Sequence, residues 1–348
     1  MKRFILIVFV VFNSCYNPIE NKKPNVIIVM TDDQGFGDLG INKNPNIITP
    51  NIDKFANKSI QFNNFFVSPV CAPTRASLMT GRYSLRTGIR DTYNGGAIMS
   101  NNETTIAEIL KEANYATGIF GKWHLGDNYP FRPSEQGFDE SLIHLAGGIG
   151  QVGDFTNYYK GNTSYFDPIL WKNNKQNQYK GYCSDIFAEN AIEFIEKNKN
   201  NSFFCYLSFN APHTPLQVPE KYYNMYKDLD PELGFKGESL ALKMSKKDKE
   251  DARRIYGMVT NIDDNFGKVL NKLTELGIEE DTIIIFMTDN GPQQFRYNSN
   301  MKGLKGTVYN GGTRVPFYIK YAGKFKNSKV ISRMSAHIDI LPTILELC

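Results

Sequence analysis

Cys71, Pro73 and Arg75 stand together in the stretch V-S-P-V-C-A-P-T-R-A-S-L-M-T-G-R, residues 67–82. Pro73 suits the first turn of a helix, because its ring presets φ and its missing N–H would have had no partner there. Cys71 then falls at or just before the helix N-terminus, where unpaired amides and the macrodipole favour negative charge. Arg75, four residues on, returns its guanidinium to the same face, and Gly81 can end the helix. The local physics describes an anion site with a sulfur in it.

Two apolar runs end in oxygen ligands. N-V-I-I-V-M-T leads into Asp32 and Asp33, and T-I-I-I-F-M-T leads into Asp289 and Asn290. Asp, Asn and Gly are common after strands, so one such pair would read as a turn. Two matching pairs predict a metal, since converging carboxylates repel unless a hard cation offsets their charge. Oxygen-only donors favour Ca²⁺ or Mg²⁺ over zinc. Further cationic and proton-carrying groups follow other apolar runs: Lys122 and His124 in G-K-W-H-L-G, His213 in A-P-H-T-P, and Lys302, Lys305 and Arg314 among the glycines of M-K-G-L-K-G-T-V-Y-N-G-G-T-R-V-P. Cations around an anion, with a histidine able to pass a proton, form a group-transfer site.

The elements that must position these residues alternate. Strands are expected at residues 25–30, 62–67, 116–120, 203–209, 282–287 and 315–321. Helices are expected at 52–60, 104–114, 184–197, 251–276 and 338–347. Apolar strands alternating with helices predict an α/β fold with a mostly parallel central sheet covered on both faces, and ligands in such sheets sit beyond the carboxyl ends of the strands. Residues 145–180, rich in Gly, Asn and Tyr, read as a surface excursion, and residues 228–250 as a charged, solvated stretch. With 348 residues, 41% hydrophobic and 22% charged, the composition is that of a globular protein. A net charge of +4, evenly spread, gives no argument for nucleic acid. The start M-K-R-F-I-L-I-V-F-V-V-F-N-S-C is basic, then briefly apolar, too short for a spanning helix. Residues 1–22 are therefore expected to be an export segment and residues 23–348 the catalytic domain. Export would be by plain secretion to the periplasm, or as a cell-envelope lipoprotein with Cys15 carrying the lipid that anchors it to the membrane. The remaining cysteines, Cys71, Cys183, Cys205 and Cys348, form no disulfide framework.

C-A-P-T-R-A-S-L-M-T-G-R resembles the signature of the formylglycine-dependent (type I) sulfatases of the alkaline phosphatase superfamily. P-N-V-I-I-V-M-T-D-D-Q-G, G-K-W-H-L-G, A-P-H-T-P, T-D-N-G and K-G-T-V-Y-N-G-G-T-R-V-P resemble further blocks of that family in the same order, from Pro24 to the C-terminus. The resemblance implies hydrolysis of a sulfate ester, on a sulfated carbohydrate. It implies that a maturation partner, a formylglycine-generating or anaerobic sulfatase-maturing enzyme, oxidises Cys71 to formylglycine. One oxygen of the hydrated aldehyde would attack sulfur and release the alcohol; loss of the second hydroxyl's proton would then expel sulfate. Asp32, Asp33, Asp289 and Asn290, with the group made from Cys71, would hold one Ca²⁺ per chain, and Asp289 would help deprotonate the attacking hydroxyl. Arg75 and Lys122 would hold the diol and sulfate, and His124 would assist collapse of the sulfated intermediate. His213 and Lys305 would bind sulfate oxygens, one of them protonating the leaving alcohol. Lys305 rather than Lys302 aligns with the family's Gly-x-Lys-Gly lysine. Asn310 stands where the family has Glu, and the family's small C-terminal domain is expected to be missing or truncated.

Three other readings fit part of the pattern. A phosphate or phosphonate ester hydrolase would share the metal site. A cysteine hydrolase would use Cys71 as a thiolate and need no metal. A catalytically dead glycan-binding protein would keep only the cleft.

Overall fold

Seven consecutive residues, Asn25–Thr31, are fully buried and form the first strand, β1. Such a run can only lie in a sheet covered on both faces. In the computed structural model, which describes residues 23–93, 96–235 and 243–348, ten strands form one sheet in the order β11-β2-β10-β9-β1-β8-β4-β5-β6-β7. They are β1, β2 (Ile60–Phe62), β4 (Ala116–Lys122), β5 (Glu140–His144), β6 (Ile169–Lys172), β7 (Lys175–Gln178), β8 (Phe203–Ser208), β9 (Thr282–Thr288), β10 (Phe317–Tyr321) and β11 (Lys329–Ile331); β3 (Phe65–Phe66) and β12 (Ser335–Ala336) pair separately. The five central strands, β9 to β5, run parallel. β10 joins β9 antiparallel, and β6 joins β5 antiparallel at the other side. The expected export segment, residues 1–22 with Cys15, lies outside the described residues, as does part of the charged stretch, 236–242.

Alternate residues of β1 serve two cores. Ile27 and Val29 face the layer of α1 (Pro50–Asn57), α4 (Cys183–Lys197) and α6 (Lys246–Glu275). Val26, Ile28 and Met30 face α2 (Cys71–Thr80), α3 (Ile106–Glu112) and α8 (Ile340–Leu347). Two single-turn helices, α5 (Glu220–Tyr223) and α7 (Asn310–Thr313), complete the set. Thr105 caps α3 in a reciprocal box with Glu108. Ser245 and Asp248 do the same for α6, which is why α6 starts five residues earlier than its apolar periodicity suggests.

Three local expectations are corrected. The strand expected over 62–67 is split into β2 and β3 by a turn at Asn63 and Asn64, residues that favour turns. Lys122 belongs to the end of β4 rather than to the loop after it. The stretch 145–180 is not merely a surface excursion: it carries the β6–β7 hairpin and buries Leu145, Ile149, Tyr165 and Leu170. Its apolar residues are too scattered among Gly and Asn to show a period, yet they cover the edge of the sheet.

Candidate active site

The register of the central strands brings the site together. Thr31 of β1 lies opposite Thr288 of β9, so Asp32 emerges beside Asp289 and Asp33 beside Asn290. On the other flank of β1, Met30 lies opposite Ser208 of β8, and Ser208 opposite Gly121 of β4. Lys122 and His124 therefore leave the sheet at the same end as the loop carrying His213. Asp32, Asp33, Asp289 and Asn290 are all buried.

Cys71 is the first residue of α2, and every residue of that ten-residue helix is buried. The helix ends at Gly81, whose φ of 64° is the left-handed conformation of a C-cap. Cys71 Sγ, a carboxylate oxygen of Asp32 and one of Asp289 lie within 4.8 Å of one another. Burial pushes the Cys71 thiol up from its ordinary range, which opposes the thiolate reading. Arg75 reaches back on the same face and donates from Nε and Nη2 to Asp289 Oδ2, at 3.1 and 2.7 Å. Its Nη1 donates to Ser208 Oγ (2.6 Å) and to the Lys122 carbonyl (3.1 Å).

Three carboxylates face three cations. Lys122 Nζ donates to Asp32 Oδ2 at 2.5 Å, Lys305 Nζ lies 2.6 Å from Asp33 Oδ1, and Arg75 holds Asp289. Burial opposes the charge of Asp33, yet Lys305 and His213 outweigh it and hold the carboxyl far below the usual range. Burial and the neighbouring Asp32 raise Asp289 to about 6. Oxygen atoms nevertheless stay unpaired: Asp32 Oδ1, Asp33 Oδ2 and Asn290 Oδ1 are buried without a hydrogen-bond partner. Buried acceptors left unmatched are costly. Unpaired oxygens on three of the five expected ligands fit a hard cation, and the Asn290 amide is oriented by donating Nδ2 to Asp33 Oδ1 and the Gly291 carbonyl.

The two histidines are fixed by carbonyls, which can only accept. His124 Nε2 donates to Thr92 O (2.9 Å), leaving Nδ1 as the acceptor 3.4 Å from Cys71 Sγ. His213 Nδ1 donates to Thr214 O (2.7 Å), which turns Nε2 toward Asp33 Oδ2 at 3.7 Å. Burial pushes His124 well below its usual value and His213 down to about 4, so both rings are neutral near pH 7. A neutral His213 in this tautomer accepts at Nε2; to donate to a sulfate oxygen it must first take up a proton.

Lys302 is not at the site, its ammonium lying 4.2 Å from the Tyr309 ring. Arg314 is also apart, over Phe36 and bonded to Asn63 O, and Asn310 is exposed at the start of α7. The loop carrying Lys305 is stitched to both neighbours, by Lys305 N–H to Pro292 O and Gly306 N–H to Pro69 O. Gly291 permits this closeness: a Cβ there would stand 1.9 Å from Gly311 O.

Supporting residues escape a motif-by-motif reading. Ser208, the last residue of β8, anchors Arg75. Asp38 and Arg296 form a buried pair (Nη2–Oδ2 2.5 Å) that also holds Gly35 N–H and Asp33 O, fixing the loop after β1. The third acid of D-D-Q-G-F-G-D was a visible signal for Asp38; Arg296 had none.

Residues 24–348 match the family described as Sulfatase. The N-acetylgalactosamine-6-sulfatase of Mus musculus is 30% identical over 93% of this chain and 62% of its own length. The ulvan-active sulfatase of Formosa agariphila is 31% identical over 94% of this chain and 62% of its own. The crystal structure of Ps i-CgsB in complex with k-i-k-neocarrahexaose superposes with a TM-score of 0.80 and 32% identity, over 94% of this chain and 72% of that one. This chain thus spans about 62% of the length of those two curated relatives. Ordered motifs, strand topology and a match from residue 24 to residue 348 converge: the chain belongs to the sulfatase family.

Proposed function

We propose that the chain hydrolyses sulfate esters of carbohydrates, with Cys71 converted to formylglycine and one Ca²⁺ bound by Asp32, Asp33, Asp289 and Asn290. The observation that carries this reading is the set of unpaired buried oxygens on Asp32, Asp33 and Asn290 gathered beside Cys71. The relatives support the substrate class, since two of those above are named for N-acetylgalactosamine and ulvan and the third is seen in complex with k-i-k-neocarrahexaose.

The charge balance suits an anion. Three carboxylates against three cations sum to zero, so a divalent ion would leave the site at +2. That ion would supply a Lewis acid for sulfate oxygens and favour the ionised form of the attacking oxygen. The chain's own residues do the rest. Arg75, held by Ser208 and the Lys122 carbonyl, fixes one side of the anion. Lys122 and Lys305 add positive charge held in place by Asp32 and Asp33. His124 presents the Nδ1 lone pair to the group made from Cys71 and takes its proton when the intermediate collapses. Lys305, kept charged chiefly by Asp33 against the penalty of burial, has a proton to give to the leaving alcohol, whereas His213 is neutral. Lys305→Met should therefore lose more rate on a sugar sulfate than on an aryl sulfate, whose leaving group needs little protonation.

The decisive experiment is mass spectrometry of the Cys71 peptide from protein made with its maturation partner, alongside rates on sulfate, phosphate and phosphonate esters. Replacement of CH₂–SH by an aldehyde and preference for the sulfate ester are expected. An intact, alkylatable thiol in fully active protein removes the mechanism. We also propose export, supported by the basic and apolar start of the sequence, with a mature N-terminus after residue 22 or a lipid on Cys15; the mass of the mature protein distinguishes these.

A further inference from the structure

The turn that carries His213 is gripped by the stretch 145–180. His213 Nδ1 donates to Thr214 O at 2.7 Å, and which imidazole nitrogen carries the proton is set by the bond made at the other end of the ring. Gln151 Nε2 donates to the same carbonyl at 2.8 Å and to Thr214 Oγ1 at 3.0 Å. A carbonyl oxygen has two lone pairs, and the Gln151 amide and the His213 ring fill them. The Tyr165 hydroxyl lies 2.8 Å from His213 O and 3.3 Å from Thr214 O, so its single proton serves chiefly the nearer carbonyl. Tyr165 therefore orients the peptide plane after His213, and Gln151 the plane after Thr214.

The grip has a second point three residues further on. Tyr165 N–H donates to Gln217 Oε1, and the hydroxyl of Tyr182, which leads into α4, donates to Gln217 O, both at 2.8 Å. Gln217 Nε2 returns a bond to Ser164 Oγ at 3.2 Å. Tyr165 itself is fully buried. On its other side the turn faces space: Thr214, Pro215 and Gln217 border a cavity of about 440 Å³ whose opposite wall carries Lys247, Asp251 and Arg254 of α6. The place of the turn is thus set from the side of residues 145–180.

The tautomer matters to the site. With the proton on Nδ1, the Nε2 lone pair faces Asp33 Oδ2 at 3.7 Å and leaves that oxygen unpaired. An Nε2–H ring would instead donate to Asp33 Oδ2 and occupy it. We infer that Gln151 and Tyr165 are positioning residues for His213, which hold its ring in the Nδ1–H tautomer through the Thr214 and His213 carbonyls. The inference rests on the sulfate-ester reading only for the reaction that is followed; the state of the ring is read without it.

The test uses the full chain with isotope-labelled histidine, in which two-dimensional NMR reads the tautomer of each of the four rings. Parent His213 should carry its proton on Nδ1. An Nε2–H signal should appear in Gln151→Met, which keeps the length of the side chain and removes its donor. It should appear also in Tyr165→Phe, which keeps the buried ring. His124, held by Thr92 O, should not change in either. On a sugar sulfate, Gln151→Met should lower kcat about tenfold, the cost of a displaced catalytic group, with KM changed less than kcat. In a His213→Gln background the same substitution should cost less than about twofold, because a residue that acts through His213 has nothing left to act on. A parent His213 protonated on Nε2, a tautomer untouched by both substitutions, or an equal loss of kcat in the two backgrounds would each overturn the inference. A tautomer change in a chain that turns over no sulfate ester would instead defeat the hydrolase reading and leave the support of His213 standing.

Discussion

At the scale of single residues, charge pairing governs what substitution does. Asp289 holds Arg75 through two hydrogen bonds in a fully buried setting. Asp289→Asn leaves that guanidinium without its anion, and breaking a buried pair in this way costs about 3–5 kcal/mol. Urea denaturation should show a loss of that order, and calorimetry should show no calcium uptake at concentrations that saturate the parent. Unchanged calcium affinity would mean that the cation lies elsewhere. Cys71→Ala behaves differently, because the Cys71 side chain makes one weak hydrogen bond, to His124, and no ion pair. Turnover should vanish while stability falls by about 1 kcal/mol, the ordinary cost of a single change.

At the scale of elements, loops meet because small residues let backbones touch. Gly291→Ala would force a Cβ to within 1.9 Å of Gly311 O and push apart the loops carrying Asn290 and Lys305. Calcium affinity measured by calorimetry should fall, with an overpacking loss of about 1–3 kcal/mol. The segment from β11 to α8 is tied to the core by His337, which donates Nδ1–H to Phe66 O at 3.1 Å. Burial lowers His337 to about 4 from an ordinary 6.5. Its contribution is therefore complete above about pH 6.5 and fades as pH falls toward 4, since the unfolded chain binds the proton more readily. A shift of this size is worth about 3 kcal/mol, so the urea midpoint should drop over that window. His337→Gln should make the drop smaller without abolishing it, since His124, His144 and His213 are lowered in the same way, and an unaltered pH profile would refute the assignment.

At the scale of the whole molecule, the proposed cation would join β1 to β9, neighbouring strands in the parallel part of the sheet. Ligand binding to the native state alone adds about 2.7 kcal/mol at a hundred times its Kd. Chelation should lower the melting temperature by several degrees, and excess calcium should restore it; magnesium should restore less, because it demands tighter octahedral geometry. A melting temperature indifferent to chelator would argue against a resident metal.

The motif C-A-P-T-R by itself determined a helix start with sulfur and guanidinium on one face, and the runs ending in Asp32–Asp33 and Asp289–Asn290 determined two buried strands with oxygen ligands at their tips. These are local facts: proline, glycine and uninterrupted apolar runs act within a few residues of themselves. Only the tertiary structure decided that β9 lies beside β1 in a register that brings Asp289 level with Asp32. The resemblance already preferred Lys305 to Lys302, but only the tertiary structure decided that its partner is Asp33. Ser208 and Arg296 became supports only once distant strands had paired. Residues 140–180 were hardest to read, because an edge hairpin draws its stability from the strand it joins, and its own sequence carries no period that announces the pairing.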